Sequence, residues 1–391
     1  MNASEHGRRF HAEIAGGGIG GLATAAALAR IGWSVRVHER QPRIQTIGAG
    51  IYIWENGLQV LDALGCLDQV IRDTHRGFAF EIRDSDGHIV DPGVLPPDKR
   101  TFTVPRIRLL HALRDAASAA GAELVVNSEA IRAEPEGILH LQSGASLKAD
   151  LVVGADGVRS PIREGLGLAA VNRRTEEGSV RLIVNIRPGD FDPADHGKYI
   201  EQWAGERRFL ITPINDEEVY LAFSALESDP GRHLPLDKAT WKKSFPMWAH
   251  LIDRVTDDLG HWDRYSVIHL QSWSRGHVAL LGDSAHAQPP NLGQGAGMAM
   301  QNALALAAML RPVISRDRIP DALQAWEMSE RPLVEHCQKW SELYGEVISM
   351  PEAQRRATFR AAATNEWIRA QIFRAAHHHP LGAPAPAEHA M

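Results

Sequence analysis

Residues 11–39 read HAEIAGGGIGGLATAAALARIGWSVRVHE. An apolar run at 11–15 predicts a strand. It enters Gly16-x-Gly18-x-x-Gly21, and an alanine-rich helix follows to about residue 31. A second strand at 34–38 ends on Glu39. Strand, glycine turn, helix and strand in this order make a βαβ unit, which commits this part of the chain to a parallel sheet with a crossover helix. Gly16 permits the tight turn, Gly18 lets the backbone approach a pyrophosphate, and Gly21 lets helix and strand pack closely. The helix N-terminus offers free N–H groups and a positive dipole end to phosphate. Glu39 lies where a carboxylate accepts hydrogen bonds from a ribose hydroxyl. A dinucleotide site is therefore expected, with Gly20 and Arg40 as further contacts. A glycine-rich turn in an ordinary α/β fold does not account for all these features in register.

The 391 residues are 44% hydrophobic and 23% charged, an ordinary soluble composition long enough for two domains or one large discontinuous unit. The net charge of −6 has both signs interspersed, which argues against nucleic acid or an anionic membrane as the main partner. Cys66 and Cys337 are far apart and form no CxxC, so neither a disulfide framework nor a zinc site is expected. A reducing cytoplasm fits that usage. The chain carries no apolar stretch long enough for a transmembrane helix, and its polar N-terminus lacks a signal-peptide core. The Pro/Ala-rich stretch 377–391 is expected to fray; His377, His378 and His379 are read as adventitious metal binders, and no functional metal is expected.

Strand and helix alternate through residue 75. Residues 78–90 predict strand, turn (Ser85-Asp86-Gly87) and strand, and a helix is expected at 106–120. Residues 180–225 read mostly β, and 236–257 helical, with Trp241, Phe245, Trp248 and Ile252 at helical spacing. The segment 295–310 is apolar nearly all round and predicts a buried helix, with further helix to about 376. The expected fold class is α/β (α+β overall): a Rossmann-like βαβ domain, an inserted mainly β substrate domain and C-terminal helices. The discontinuous cofactor domain is placed at 1–75, 101–179 and 271–330, the substrate domain at 76–100 and 180–270, and the C-terminal helices at 331–376.

Two further motifs follow buried strands. Gly154-Ala155-Asp156-Gly157-Val158-Arg159-Ser160 comes after a strand at 150–153. Gly282-Asp283-Ser284-Ala285-His286 comes after a strand at 277–281, with Pro290 and Gly293-Gln294-Gly295 close behind. Taken alone, the first is as readily a plain β-turn and the second a capped helix. Together with the first βαβ unit they resemble, over nearly the whole chain, the single-component FAD-dependent aromatic hydroxylases of the para-hydroxybenzoate hydroxylase fold. The resemblance implies that Gly16, Gly18, Gly21 and Glu39 hold the ADP half of FAD and that Arg106 contacts the cofactor from a helix start. It implies that Asp156 belongs to a motif linked to FAD and NAD(P)H, that Asp283 holds the ribityl chain, and that Gly293, Gly295, Ala296 and Gly297 border the isoalloxazine.

Within that family, GAGIYIWENGLQVLDALG, SWSRGHVALLGDSAHA and GQGAGMAMQNA are most similar to the pyridine-ring hydroxylases that also open the ring, typified by 2-methyl-3-hydroxypyridine-5-carboxylate oxygenase. The resemblance places Arg181, Arg208 and Tyr220 in the substrate pocket with Pro290, and it puts Phe80 where the subgroup has a tyrosine. It implies an NADH- or NADPH-dependent monooxygenase using O2 and a flavin C4a-hydroperoxide to hydroxylate a hydroxylated aromatic acid, such as a hydroxypyridine carboxylate. NAD(P)H would visit transiently, because the chain has no second βαβ fingerprint. Either a monomer or a homo-oligomer is compatible. The chemistry calls for a mostly apolar, water-excluding pocket, with candidate walls Ile51, Tyr52, Trp54, Phe80, Trp203, Pro289 and Pro290, and an arginine, Arg208 or Arg181, pairing a substrate carboxylate. His286 is read as a packing residue of the flavin loop. A hydroxybenzoate- or salicylate-type hydroxylase without ring cleavage and a non-catalytic flavin-binding protein are the alternatives. A hydrolase lacks GxSxG, and a flavin halogenase lacks its tryptophan motif.

Overall fold

The strand His11–Ala15 lies at the centre of a parallel array, and in the computed structural model, which describes residues 9–45, 49–256 and 260–385, each glycine motif starts where one of its strands ends. The order across this six-stranded sheet is Ser274–Arg275, Val278–Leu280, Leu151–Gly154, His11–Ala15, Ser34–His38 and Glu123–Val125. Ala15 is level with Gly154, and Gly154 with Leu280, in parallel pairings. Three segments far apart in sequence therefore reach the carboxyl edge of one sheet side by side, the place where open α/β sheets bind ligands. The helix Ile19–Arg30 is buried along almost its whole length. It packs against Gly295–Leu310 and Arg106–Ala119, which is why a segment apolar on every side forms a stable helix here.

The second sheet has seven strands, in the order Trp262–Leu270, Ala169–Asn185, Glu218–Leu226, Arg207–Pro213, Lys198–Ala204, Ala79–Arg83 and Ile89–Asp91. Period-two alternation gives it two different faces. Val180, Leu182, Phe209, Ile211, Leu221 and Phe223 pack outward on Trp241, Phe245, Trp248 and Leu251. The intervening positions, among them Ile183, Leu210, Tyr220 and Ala222, face the other way, onto Tyr52, Trp54 and Tyr199. Arg181 and Arg208 share the parity of this inner face.

Several sequence expectations need adjustment. The helix expected at 236–257 is broken into Lys238–Ser244, a 3-10 turn Pro246–Trp248 and Ala249–Ile252. Pro246 has no N–H to donate and forces Phe245 out of helical geometry. The strand Lys198–Ala204 has buried side chains on both faces, so it lacks the alternation by which strands are recognised. Gly50–Trp54 pairs antiparallel with Thr101–Pro105 and forms a ribbon between the two sheets. The strand Ala169–Asn185 runs unbroken through the boundary expected at 179/180. In the stretch expected to fray, His379 Nδ1 meets Gln59 Oε1 at 2.7 Å and Pro380 is buried, while residues 381, 382, 384 and 385 are exposed. Residues 386–391 lie outside the described residues.

Candidate active site

The first glycine turn shows what each position requires. Gly16 has φ +103°, and a Cβ there would lie 2.3 Å from the Ala155 carbonyl oxygen. A Cβ on Gly21 would lie 2.0 Å from the carbonyl oxygen of Gly16, and one on Gly20 2.7 Å from Leu281. Gly18 is different. It is exposed, it caps the helix Ile19–Arg30 without any side-chain bond, and a Cβ on it would meet nothing within 4 Å. Packing therefore demands glycine at 16 and 21, whereas at 18 glycine leaves room for something the polypeptide does not fill. Glu39 is half-buried and accepts from the N–H of Gly17 at 2.9 Å and of Gln41 at 2.8 Å, holding the turn with lone pairs to spare. Arg40 is exposed beside it.

Other motif residues leave buried polar atoms without partners. Arg106 starts its helix, its N–H donating to Ala49 at 2.7 Å, while its side-chain Nε is buried and without a partner. Asp156 Oδ1 is also buried and unpartnered. Burial raises the Asp156 carboxyl above its ordinary range. Asp283 follows Gly282, whose φ is +68°, and is solvent-accessible. Desolvation raises its carboxyl, opposed by the nearby positive charges of Arg106 and Arg181. Desolvation lowers Arg106, with the charge of Asp283 opposing it. Gly293 has φ +61°, Gly295 faces open space at the N-terminus of Gly295–Leu310, and Ala296 is half-buried beside it. Open backbone at Gly18 and Gly295, together with the orphaned Arg106 Nε and Asp156 Oδ1, fits a ligand with a pyrophosphate and hydrogen-bonding rings, as FAD has.

The inner face of the seven-stranded sheet closes over this edge. Tyr52 stacks on Tyr199 at 5.0 Å and meets Tyr220 edge-on at 5.8 Å. Phe80 adds its edge to both Tyr52 and Tyr199. Tyr52 O–H pairs with Thr212 Oγ1 at 2.8 Å. Burial pushes the Tyr220 phenol up to about 12, so it stays protonated at neutral pH and can donate. Tyr52, Trp54 and Phe80 thus belong to one apolar cluster. Trp203 does not. It packs with Ile82, Val90 and Phe359, held between the guanidinium groups of Arg208 at 5.3 Å and Arg355 at 5.0 Å.

Arg208 differs most from the sequence reading. It is 2% exposed, and its NH2 group donates to Glu177 at 2.7 Å and to Asn291 at 2.8 Å. Glu201 lies 3.8 Å away on the other side. Glu201 in turn accepts from Trp203 Nε1 at 2.7 Å and from the Tyr344 hydroxyl at 2.5 Å. Desolvation raises both carboxyls and Arg208 opposes it. Its Nε is buried without a partner, but its charge is already met by two carboxylates, so it is not a free cation for a substrate carboxylate. The sequence concealed this because Glu177 and Glu201 read as ordinary strand residues. Asn291, also missed, links Arg208 to the loop that starts at Pro290, and donates to the Ser341 carbonyl at 2.9 Å. A polar residue between Pro290 and Gly293 was the available signal. Arg181 is half-buried, and its side chain makes no hydrogen bond or ion pair among the described residues. His286 is 5% exposed, lies beside Trp273, and donates to Asn302 Oδ1 at 3.0 Å, while the Asn302 amide nitrogen donates to Glu330 at 2.9 Å. Burial lowers His286 to about 4, so it is a neutral packing residue, as expected.

Three motif-bearing strands at one sheet edge, under an aromatic cluster from a second sheet, have the layout of a dinucleotide-binding protein. Residues 9–341 match the FAD binding domain family, and the chain belongs to it, among FAD-dependent monooxygenases acting on aromatic rings. The chain is 40% identical to 2-heptyl-3-hydroxy-4(1H)-quinolone synthase of Mycobacteroides abscessus, over 92% of this chain and 98% of that protein. It is 29% identical to 6-hydroxynicotinate 3-monooxygenase of Bordetella bronchiseptica, over 81% and 86%. Among solved structures, the tetrameric form of 2-methyl-3-hydroxypyridine-5-carboxylic acid oxygenase superposes with a TM-score of 0.86 at 36% identity, covering 97% of this chain and 99% of that one. No helix among the described residues is long and apolar enough to cross a membrane.

Proposed function

We propose that this protein is an NAD(P)H- and O2-dependent flavin monooxygenase that hydroxylates a neutral nitrogen heteroaromatic ring, a 2-alkyl-4-quinolone at carbon 3. The observation that carries this reading is the clasp around Arg208: the buried cation is consumed by Glu177 and Glu201. Together with the aromatic cluster, this favours a substrate without a carboxylate and with an apolar arm. The 40% identity to a protein named for a 3-hydroxy-4-quinolone product agrees. The balance is quinolone, O2, NAD(P)H and a proton giving 3-hydroxyquinolone, NAD(P)+ and water. The pyridine carboxylate expected from the sequence is the second reading, supported by Arg181, a cation without an ion partner among the described residues.

Bound FAD would supply hydride acceptance and O2 activation. Gly16, Gly18, Gly20, Gly21 and Glu39 would hold its ADP half, Arg106, Asp156 and Asp283 its central chain, and Gly293, Gly295 and Ala296 its ring. Tyr220 donates its O–H to the ring oxygen of the substrate, and Arg181 adds positive potential at the same oxygen. Tyr52, Phe80 and Tyr199 exclude water, and Pro290 borders the ring. The six-stranded sheet and its helices form the cofactor side, the seven-stranded sheet the substrate side, and the protein assembles as a homo-oligomer.

The test is NADH and NADPH consumption by FAD-loaded protein with 2-heptyl-4(1H)-quinolone, 6-hydroxynicotinate and 2-methyl-3-hydroxypyridine-5-carboxylate, with product masses. Stimulation by the quinolone and gain of one oxygen are expected. Stimulation by the carboxylates alone overturns the neutral-substrate reading.

A further inference from the structure

Away from the cofactor edge, three side chains from separate segments meet at the tip of a hairpin. His75 follows the short helix Leu67–Ile71, and its backbone N–H donates to the Ile214 carbonyl at 2.7 Å. His196 follows the 3-10 turn Pro193–Asp195. Asp216 sits in the turn between Arg207–Pro213 and Glu218–Leu226, where Asn215 Oδ1 accepts from the N–H groups of Glu217 at 2.9 Å and Glu218 at 2.8 Å. One ligating atom from each of the three side chains lies within 4.8 Å of the others.

We propose that His75, His196 and Asp216 form a binding site for a divalent transition-metal ion of the zinc class. Asp216 Oδ1 is 3.2 Å from His75 Nε2 and 3.7 Å from His196 Nδ1. Two ligands at roughly 2.0–2.2 Å from a tetrahedral ion stand about 3.3–3.6 Å apart, so these separations are close to tetrahedral edges. The direction of the His75 nitrogen adds an independent argument. Nε2 is shielded from solvent and makes no hydrogen bond, although the Asp216 oxygen is only 3.2 Å away. The carboxylate therefore lies off the line along which the imidazole donates or accepts, which leaves that line for a third atom. Two imidazoles and a carboxylate are the ligand set that borderline ions such as Zn2+ prefer, and a single open coordination position would take water. The hairpin carries Arg208 and Tyr220 on its strands, so a bound ion would tie the substrate-side sheet to residue 75.

The experiment is calorimetric titration of Zn2+ into tag-free, chelator-treated, FAD-loaded protein. Binding at this site is expected to saturate at one equivalent. His75→Gln, His196→Gln and Asp216→Asn are each expected to weaken it by at least the roughly 10-fold that even an outer-shell partner is worth. Replacing His377, His378 and His379 by alanine is expected to leave it unchanged. Asp216 is 81% exposed, so Asp216→Asn does not threaten the fold and decides the matter if the histidine variants fail to fold. Cu2+ in the same protein is expected to show coupling to two imidazole nitrogens by electron paramagnetic resonance. Absence of saturable binding, an affinity unaffected by Asp216→Asn, or loss only on removing the C-terminal histidines overturns the proposal.

Discussion

Replacing Arg208 by methionine tests the clasp directly. Arg208 is 2% exposed, bonded to Glu177 at 2.7 Å and with Glu201 at 3.8 Å. Removing it leaves two buried acids facing a hydrocarbon. Breaking a buried pair in this way costs about 3–5 kcal/mol, and the lost stacking on Trp203 adds no more than about 2 kcal/mol. The acids relieve the strain by binding protons. Their folded pKa values, already raised by burial, then rise further above the roughly 4.3 of an unfolded glutamate. A raised acid makes the folded state bind more protons than the unfolded one, so stability is retained below that unfolded value and lost as pH climbs through the folded value. The variant is expected to unfold in urea with a free energy lower by about 3–7 kcal/mol at neutral pH. The deficit should shrink toward acid, and Glu177→Gln added to Arg208→Met should recover part of it. Tryptophan fluorescence during urea titrations at several pH values measures this. A variant within about 1 kcal/mol of the parent at every pH, with only substrate affinity lost, would refute the clasp and restore Arg208 as a free anchor.

Gly18→Ala and Gly21→Ala should separate ligand space from packing. The first is expected to lower FAD retention with little change in the melting temperature of the apoprotein, because its Cβ meets nothing within 4 Å. The second, with a Cβ 2.0 Å from the Gly16 carbonyl oxygen, is expected to destabilise the fold itself, read by apoprotein thermal denaturation. Asp283→Ala should weaken FAD binding by about 10- to 100-fold, the loss of one hydrogen bond to a charged group, measured by flavin fluorescence titration. His286, held down to about 4, binds fewer protons folded than unfolded; its contribution is present above the ordinary histidine range and lost as pH falls through about 4. His286→Asn should therefore flatten the fall in stability between about pH 6.5 and 4, followed by urea unfolding midpoints.

Much of the cofactor side was legible because its signals are local. Gly16 and Gly282 take positive φ and Gly21 lies against the Gly16 carbonyl, requirements met within a few residues, although Gly16 is also confined by Ala155 from a distant strand. The helix Gly295–Leu310 is apolar all round, and such a sequence has no stable alternative to burial. Elements whose burial comes from other segments were less legible. Lys198–Ala204 carries Glu201 and Gln202 into the interior, and no pattern within its seven residues foretells that both will find partners. Trp203 illustrates the same limit, since its composition suited the substrate wall but its strand position turned it toward Phe359.

By itself the sequence determined the cofactor class and the order of the motifs, because turns, caps and helix periodicity are written in neighbouring residues. Tertiary structure alone decided whether Arg208 is paired. Glu177, Glu201 and Arg208 come from three different strands, and whether a buried arginine is free or spent depends on which carboxylates the sheet brings within reach of it.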